Sequence, residues 1–395
     1  MPPTATLLPS DEAELAAAVA DAVAARTPLA VVGGGTHAGY GRPMQTAQTL
    51  STTALSGVTL YEPAELVLSA KAGTPLAEIA ALLAQNRQRL AFEPPDLRRF
   101  YGAEGEPTVG ALAAVNLAGP RRIQVGAVRD SLIGVRAATG RGEIVKSGGR
   151  VMKNVTGYDL VKFLAGSFGT LGVFSEVTFK VLPEPETEAT LVIAGLDDER
   201  AVAALSAALG SPFSVTGAAH IPGAPARTLI RLEGFDASVA DRAQRLAKLL
   251  APFGAAEILS ADASASVWVS VRDLDAIGAP AGAPVWRVSV KPTAGPAVVV
   301  AASAAFDAHI LYDWGGGLVW IAGGEGPDAG AAVIRAAIHA NGGGHATLVR
   351  APDSIRLSVD VFEPPSEPIL TLTRKLKQSF DPAGILNPGR MYAGI

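Results

Sequence analysis

Cysteine is absent from the 395-residue chain. Its absence excludes disulfide bonds, zinc and iron–sulfur sites with cysteine ligands, thiol nucleophiles and a cysteinyl link to a cofactor. Charged residues make up only 18% of the sequence and the net charge is −4, so no nucleic-acid partner is expected. Any redox chemistry on this chain therefore requires a bound cofactor.

Long hydrophobic runs are also missing. The longest mostly apolar stretches, such as residues 296–306, are much shorter than the ~18–20 residues of a membrane-spanning helix. Residues 1–6 lack the basic and apolar segments of a secretory signal. None of the five histidines has the His-x-His or His-x-x-x-His spacing of a metal site. We therefore expect a cytoplasmic protein with no metal and no direct membrane insertion.

The N-terminal half alternates helix and strand patterns. Ser10 is a candidate N-cap for a helix of about four turns that carries Leu15, Val19 and Val23 at helical spacing. The apolar residues 28–32 predict a buried strand. The same pattern recurs in a predicted strand at 66–73 and a helix at 75–83 with Thr74 as N-cap and Pro75 at the first helical position.

The length predicts two or three domains. A strand pattern at 172–181 is followed by the Pro- and Glu-rich residues 182–188, which we interpret as a domain boundary. A second α+β domain is indicated by strand and helix patterns at residues 228–232, 237–250, 286–290 and 330–340.

Three consecutive glycines and a threonine, residues 33–36, follow the first predicted strand. They formally match a loose Rossmann fingerprint, but Gly39, Gly41 and Pro43 would break the helix that a Rossmann site requires. A tight loop whose N–H groups bind one anion, such as a pyrophosphate, fits better. An ordinary strand-to-loop turn with permissive glycines is the alternative.

Four further segments follow this glycine loop in order, at residues 107–119, 126–130, 152–160 and 166–174. With the loop, they resemble the FAD-binding domain of the vanillyl-alcohol oxidase family, also called the PCMH-type domain, over residues 5–183. The resemblance implies an α+β fold: a PCMH-type FAD-binding domain (1–183), a smaller α+β cap domain (187–370), and a C-terminal segment (371–395) packing back toward the flavin domain.

The resemblance also implies which residues contact FAD. In that family the glycine loop holds the pyrophosphate, and the later segments line the isoalloxazine ring and ribityl chain. The implied cofactor-binding residues are Gly33, Gly34, Gly35, Thr36, His37, Thr108, Gly110, Ala111, Asn116, Gly126, Val128, Arg129, Gly169, Thr170, Gly172, Val173, Asn387 and Arg390. For polar side chains near these loops, such as Asp130 and Asp159, a role in bracing the fold is the alternative.

Segments in the second half, at residues 286–287, 312–316, 342–347 and 380–392, resemble the FAD-binding subunits of bacterial glycolate oxidases. That resemblance implies oxidation of glycolate to glyoxylate by hydride transfer to flavin. It also implies a larger FAD-linked subunit and an iron–sulfur subunit as partners, which receive the electrons. Any attachment to the inner membrane would then be made through those partners.

A flavin enzyme for a small 2-hydroxy acid needs a cation for the carboxylate and a base for the hydroxyl proton. Alternation along residues 286–291 predicts Arg287, Ser289 and Lys291 on one strand face. We take Arg287, Lys291 and His345 as candidate catalytic residues. The alternatives are a half-exposed edge strand with a solvated charged face, and a structural histidine in a glycine loop.

Some relatives attach FAD covalently through a histidine in the glycine loop. In this sequence Thr36 takes that place, with His37 one position later. With no cysteine for the second common linkage, we predict non-covalent FAD.

Three other functions are considered. The chain could be a structural or electron-relay subunit whose larger flavin partner carries catalysis, or a stand-alone FAD-dependent oxidase of another alcohol. A nicotinamide-dependent dehydrogenase is disfavoured by the helix-breaking residues 39–43.

Overall fold

A computed structural model describes residues 6–149 and 159–395, and the chain divides into two compact units. Unit 1 comprises Met1–Ala118, Gly126–Glu184 and Pro364–Ile395, and unit 2 comprises Gly119–Val125 and Pro185–Glu363. Residues 152–158, which carry part of the family resemblance, lie outside the described residues. In the part of the chain that is described, no helix is long and apolar enough to cross a membrane.

The described residues of unit 1 form three sheets. A parallel sheet has the strand order β1-β3-β2, an antiparallel five-stranded sheet has the order β4-β5-β9-β7-β8, and β10 pairs with β6. The strands are β1 (Thr6–Leu7), β2 (Leu29–Val32), β3 (Gln48–Ser51), β4 (Val58–Glu62), β5 (Val67–Lys71), β6 (Gln88–Arg89), β7 (Leu132–Thr139), β8 (Ile144–Gly148), β9 (Gly172–Lys180) and β10 (Leu182–Pro183).

Helices cover these sheets. Those of unit 1 span Glu12–Ala25, Leu76–Ala84, Arg98–Tyr101, Val109–Val115, Val128–Ser131, Leu160–Leu164 and Glu367–Phe380, with a 3-10 turn at Pro63–Glu65. The largest core of this unit forms where apolar side chains of β5, β7 and β9 meet Leu76–Ala84 and Val109–Val115. Burial of this apolar surface is the main stabilising contribution.

Both predicted N-caps of unit 1 differ from the structure by one residue. Asp11, rather than Ser10, caps the first helix, because its carboxylate accepts the N–H of Glu14 at 2.8 Å. The second helix begins at Leu76 with Pro75 at the cap position. Thr74 Oγ1 instead accepts the N–H of Gly57 at 3.0 Å and donates to the carbonyl of Lys71 at 2.7 Å.

Unit 2 is an antiparallel eight-stranded sheet with the order β14-β11-β13-β12-β16-β17-β15-β18. The strands are β11 (Thr187–Ala194), β12 (Gly217–Ile221), β13 (Arg227–Gly234), β14 (Ala256–Leu259), β15 (Val285–Val290), β16 (His309–Asp313), β17 (Leu318–Ala322) and β18 (Gly344–Arg350). The strands and helices expected from residues 228–232, 237–250, 286–290 and 330–340 are confirmed to within two residues at each end.

The helices of unit 2 form two apolar cores against the sheet. They span Arg122–Val125, Asp198–Leu209, Asp236–Leu250, Ala261–Arg272, Gly295–Ala305, Ala331–Ala340 and Asp353–Ser358, with 3-10 turns at Asp275–Ile277, Pro292–Ala294 and Trp314–Gly316. A buried ion pair joins Arg121 to Glu233, with nitrogen–oxygen distances of 2.7 and 2.9 Å. The segment that carries Arg121 is thereby anchored within unit 2.

Candidate functional site

A cavity of about 320 Å³ lies in unit 1. Its walls come from the end of β2, the glycine loop after it, helix Val109–Val115, the residues that lead into β9, and the C-terminal segment. Eleven of the expected cofactor-binding residues line it: Gly33, Gly35, Thr36, His37, Gly110, Ala111, Gly169, Gly172, Val173, Asn387 and Arg390. The structure therefore brings together residues that are up to 357 positions apart in the sequence.

Glycine is required at each of the three loop positions, for different structural reasons. A Cβ at Gly33 would lie 2.3 Å from Thr108 Oγ1, and one at Gly34 would lie 1.8 Å from the carbonyl oxygen of Glu106. These two glycines allow close chain-to-chain packing. Gly35 has φ of +79° and no atom within 4 Å of its Cβ position, so its backbone conformation requires glycine.

The loop leaves several backbone donors available. Residues 36–41 form turns and bends rather than a helix, which confirms that the glycines do not open a Rossmann helix. Within the described residues, the N–H groups of Gly34, Gly35, Thr36 and His37 form no backbone hydrogen bond. Neighbouring N–H groups in such a turn form a site for an anion.

His37 is buried beside these donors. Thr36 Oγ1 lies 3.1 Å from His37 Nδ1, whereas His37 Nε2 is buried and has no hydrogen-bond partner in the described part of the chain. Burial lowers the pKa of His37 to about 4. The carboxylate of Asp96 raises this pKa, whereas the nearby Arg390 guanidinium lowers it further. The imidazole is therefore neutral at pH 7 and offers one ring nitrogen to a ligand.

Helix Val109–Val115 approaches the sheet closely at Gly110. A Cβ at Gly110 would lie 2.5 Å from the Cβ of Ala72, so glycine is needed for this approach. Thr108 occupies the N-cap position, and its buried Oγ1 has no partner among the described residues. Thr108 and Gly34 line a neighbouring cavity of about 380 Å³ that shares Gly33 with the first.

The residues before β9 form another wall. Phe168 and Gly169 both have positive φ, +55° and +70°, and the Phe168 ring meets Tyr40 edge to face with centroids 4.9 Å apart. Positive φ is uncommon for phenylalanine and marks a constrained site. No sequence pattern distinguished Phe168 from its neighbours, although it stands within the recognised segment 166–174.

The C-terminal segment fixes this wall to the glycine loop. The Asn387 amide accepts from the N–H of Val31 at 2.7 Å and donates to the carbonyl of Phe168 at 2.7 Å. The Arg390 guanidinium donates to the carbonyls of His37 and Ala38 at 3.1 and 2.9 Å. Both residues line the cavity while their polar groups hold its walls in place.

The other expected cofactor residues, Asn116, Gly126, Val128, Arg129 and Thr170, are not among the described residues that line the first cavity. Asn116 Oδ1 accepts the N–H of Arg129 at 2.9 Å, and Thr170 Oγ1 donates to the carbonyl of Ser167 at 2.7 Å. Val128 is buried in the core.

Gly126, at φ +81°, packs against Asp130, whose carboxylate accepts the N–H of Ala127 at 2.8 Å. These contacts match the bracing alternative for Asp130, and a direct role of the five residues stays a prediction.

The candidate catalytic residues lie in unit 2. Arg287 is on β15, where β17 and β18 flank it on both sides, so the alternative of an edge strand is wrong. Ser289 stands opposite His345 on β18, and residues that face each other across an antiparallel pair share one face. Arg287 and His345 are therefore brought onto the same face of the sheet.

Lys291 lies just beyond the end of β15. The strand ends at Val290, and Lys291 is exposed at the start of the turn Pro292–Ala294. Its Nζ would lie 2.8 Å from a Cβ at Gly342. The backbone of Lys291 is still extended, and its place on the Arg287 face stays a prediction.

His345 has a pKa below its usual value. Partial burial is the main cause, Arg287 and Arg122 add to it, and Glu363 opposes it. A neutral imidazole at this position can accept a proton at neutral pH.

The parallel sheet, the five-stranded sheet and the glycine-lined cavity define a PCMH-type, vanillyl-alcohol-oxidase-like FAD-binding fold. The family model for the FAD binding domain matches residues 3–148, and that for the C-terminal domain of FAD linked oxidases matches residues 365–391. The 4-ethylphenol oxidase from Gulosibacter chungangensis has a similar fold, with a TM-score of 0.72 at 13% identity, over 98% of this chain and 89% of that one.

The chain is 35% identical to the glycolate oxidase subunit GlcE of Escherichia coli (strain K12) over 95% of its own length and 96% of that protein. It therefore belongs to the GlcE family of glycolate oxidase subunits, within the FAD-linked oxidoreductases. The glycolate oxidase subunit GlcD of Bacillus subtilis (strain 168) is 38% identical over 26% of this chain and 21% of that protein.

Proposed function

We propose that this chain is the FAD-binding subunit of a heteromeric glycolate, or 2-hydroxy acid, oxidoreductase. The observation that carries the proposal is the cavity of unit 1, where unbonded loop N–H groups, the unpartnered His37 Nε2 and glycine-lined walls converge. The similarity to GlcE over nearly the whole of both proteins supports glycolate as the substrate.

The residues of unit 1 fit FAD. The N–H groups of residues 34–37 suit the pyrophosphate, and the backbone around Gly110, Gly169 and Gly172 suits a flat ring system that approaches the main chain. When bound, FAD would supply the acceptor for the hydride that leaves the hydroxyl-bearing carbon of the substrate. The side chain of Thr36, in the place of the linking histidine, and the absence of cysteine support non-covalent binding.

The residues of unit 2 supply the acid–base and charge chemistry. Arg287 binds the substrate carboxylate through charge-assisted hydrogen bonds. The neutral imidazole of His345 takes the hydroxyl proton, because its lowered pKa keeps a ring nitrogen unprotonated at neutral pH. Lys291 is a further candidate for attracting the anionic substrate from solvent.

The relatives named as subunits support a multi-subunit complex. We infer that a larger FAD-linked subunit and an iron–sulfur subunit accept the electrons, since this chain has no cysteine for a cluster of its own. The complex is cytoplasmic, and its partners provide any contact with the inner membrane.

Two measurements test this proposal. The apoprotein is titrated with FAD and then precipitated with acid. We expect stoichiometric binding, with the yellow colour released into the supernatant. Colour retained in the pellet would contradict non-covalent attachment, and failure to bind FAD would contradict the proposed function and favour a purely structural subunit.

A further inference from the structure

Trp314 stands beside the candidate substrate residues of unit 2 in an unusual backbone conformation. It follows β16 with φ of +52°, and Gly315 and Gly316 also have positive φ. For a bulky residue this conformation is strained, and such strain is concentrated at functional sites. Asp313 accepts the N–H of Trp314 at 2.7 Å, and the indole Nε1 donates to the carbonyl of Gly119 at 3.2 Å. The ring is thus held from both its backbone and its edge.

Two guanidinium groups lie against this indole. The Cζ of Arg122 is 4.4 Å from the ring centroid, and the Cζ of Arg287 is 5.1 Å from it. Cation–π attraction at these distances orders both side chains. The two arginines come from segments separated by more than 160 residues, and the indole gives them a common platform.

Both charges also act on His345, since partial burial, Arg287 and Arg122 lower the pKa of its imidazole and Glu363 opposes them. The register of β15 and β18 independently places His345 on the Arg287 face. Two positive groups thus contact the Trp314 ring, and both also act on the His345 imidazole. This combination suits a small anion that also carries a hydroxyl group.

We propose that Arg122 and Arg287 together bind the carboxylate of a small 2-hydroxy acid, and that Trp314 is the positioning residue that holds both guanidinium groups. This inference rests on the proposed function and deepens it by adding Arg122 and Trp314 to the substrate site. Two arginines can each donate to a carboxylate oxygen, which fixes its orientation more firmly than one. The α-hydroxyl then lies toward His345, and the indole limits the space for longer substituents.

The test is a calorimetric titration of the full-length, FAD-loaded chain with oxalate, a small carboxylate that has no hydrogen on carbon to lose. We expect Arg122→Gln and Arg287→Gln each to weaken binding at least tenfold, with partial recovery in Arg122→Lys. Arg227→Gln, which changes an exposed arginine of the same unit, is the matched control and should stay within twofold of the wild type. Oxalate affinity unchanged in Arg122→Gln would overturn the inference.

A second readout separates positioning from a purely structural role. The pKa of His345, followed by NMR, should rise toward its usual value in Arg122→Gln and in Trp314→Leu, and also when oxalate binds to the wild type. A His345 pKa that is the same in all these samples would overturn the inference. A chain that binds oxalate through both arginines but takes up no FAD would support the carboxylate site and contradict the proposed function. A chain that binds FAD but no oxalate would support FAD binding and overturn the carboxylate site.

Discussion

Lys377 and Asp381 form a buried ion pair, with Nζ and Oδ2 2.8 Å apart, at the end of helix Glu367–Phe380. Lys377 Nζ also donates to the carbonyls of Thr170 and Leu386, at 2.8 and 2.7 Å. Asp381 in turn accepts the N–H groups of Ile385 and Leu386. One ion pair therefore ties the C-terminal motif to the segment before β9, which forms a wall of the cavity in unit 1.

Replacement of Lys377 by methionine should destabilise the protein, because Asp381 would remain buried without its cation. The expected loss is about 3–5 kcal/mol of the free energy of unfolding, measured by urea denaturation. Arg374→Gln on the same helix is the control, since Arg374 is 54% exposed and its pair with Glu367 contributes less than about 1 kcal/mol. Equal effects of the two substitutions would contradict the role given to the buried pair.

Alanine at Gly35 should affect both stability and FAD binding. The φ of +79° makes alanine unfavourable by roughly 1–2 kcal/mol, although no atom would clash with its Cβ. Gly102→Ala is a matched control, because Gly102 has φ of +64°, equal free space, and no place in the cavity wall. We expect similar unfolding free energies for the two variants. FAD affinity, measured by fluorescence titration, should fall about tenfold in Gly35→Ala alone, since a distorted loop no longer aims its N–H groups at one anion.

The stability of the apoprotein should depend on pH through His37. Its folded pKa of about 4 lies below the ordinary value of 6.5, so the unfolded state binds the extra proton between these values. Stability is therefore full above pH 6.5 and falls as the pH decreases toward 4. Between pH 7 and pH 5 the contribution of His37 changes by roughly 2 kcal/mol.

The comparison of His37→Gln with the wild type by urea denaturation at pH 7 and pH 5 isolates this contribution. The glutamine variant should lose roughly 2 kcal/mol less on acidification. His339→Gln, at a histidine that is 73% exposed, should behave as the wild type does. A pH dependence that is identical in all three proteins would show that His37 is not kept neutral by burial.

The glycine loop, the strand before it and the strand of Arg287 were predictable, because each depends on local pattern and turn chemistry. The position of that strand within its sheet was not predictable, because β17 and β18 come from later in the chain and leave no local signal on residues 285–290. Arg122 was missed for the same reason, and Trp314 was recognised only as part of segment 312–316, since only tertiary structure brings the two side chains together.

The sequence motifs also did not predict which cavity residues face a ligand and which hold the cavity wall. Asn387 and Arg390 were expected to contact FAD, and the structure shows that their polar groups bind carbonyls of the cavity wall. Gly33 and Gly34 are explained by packing against Thr108 and Glu106. A motif identifies the residues that build a site, whereas hydrogen-bond partners decide which of them have groups left for a ligand.

We propose that this chain binds FAD and oxidises a 2-hydroxy acid with its own residues. The most direct test is the visible absorbance of the FAD-loaded chain before and after anaerobic addition of glycolate, with Arg287→Gln as the comparison. We expect loss of the oxidised-flavin absorbance in the wild type, and a much slower loss in the variant at equal FAD content. A flavin spectrum that glycolate leaves unchanged would contradict the account and assign catalysis to the larger flavin partner.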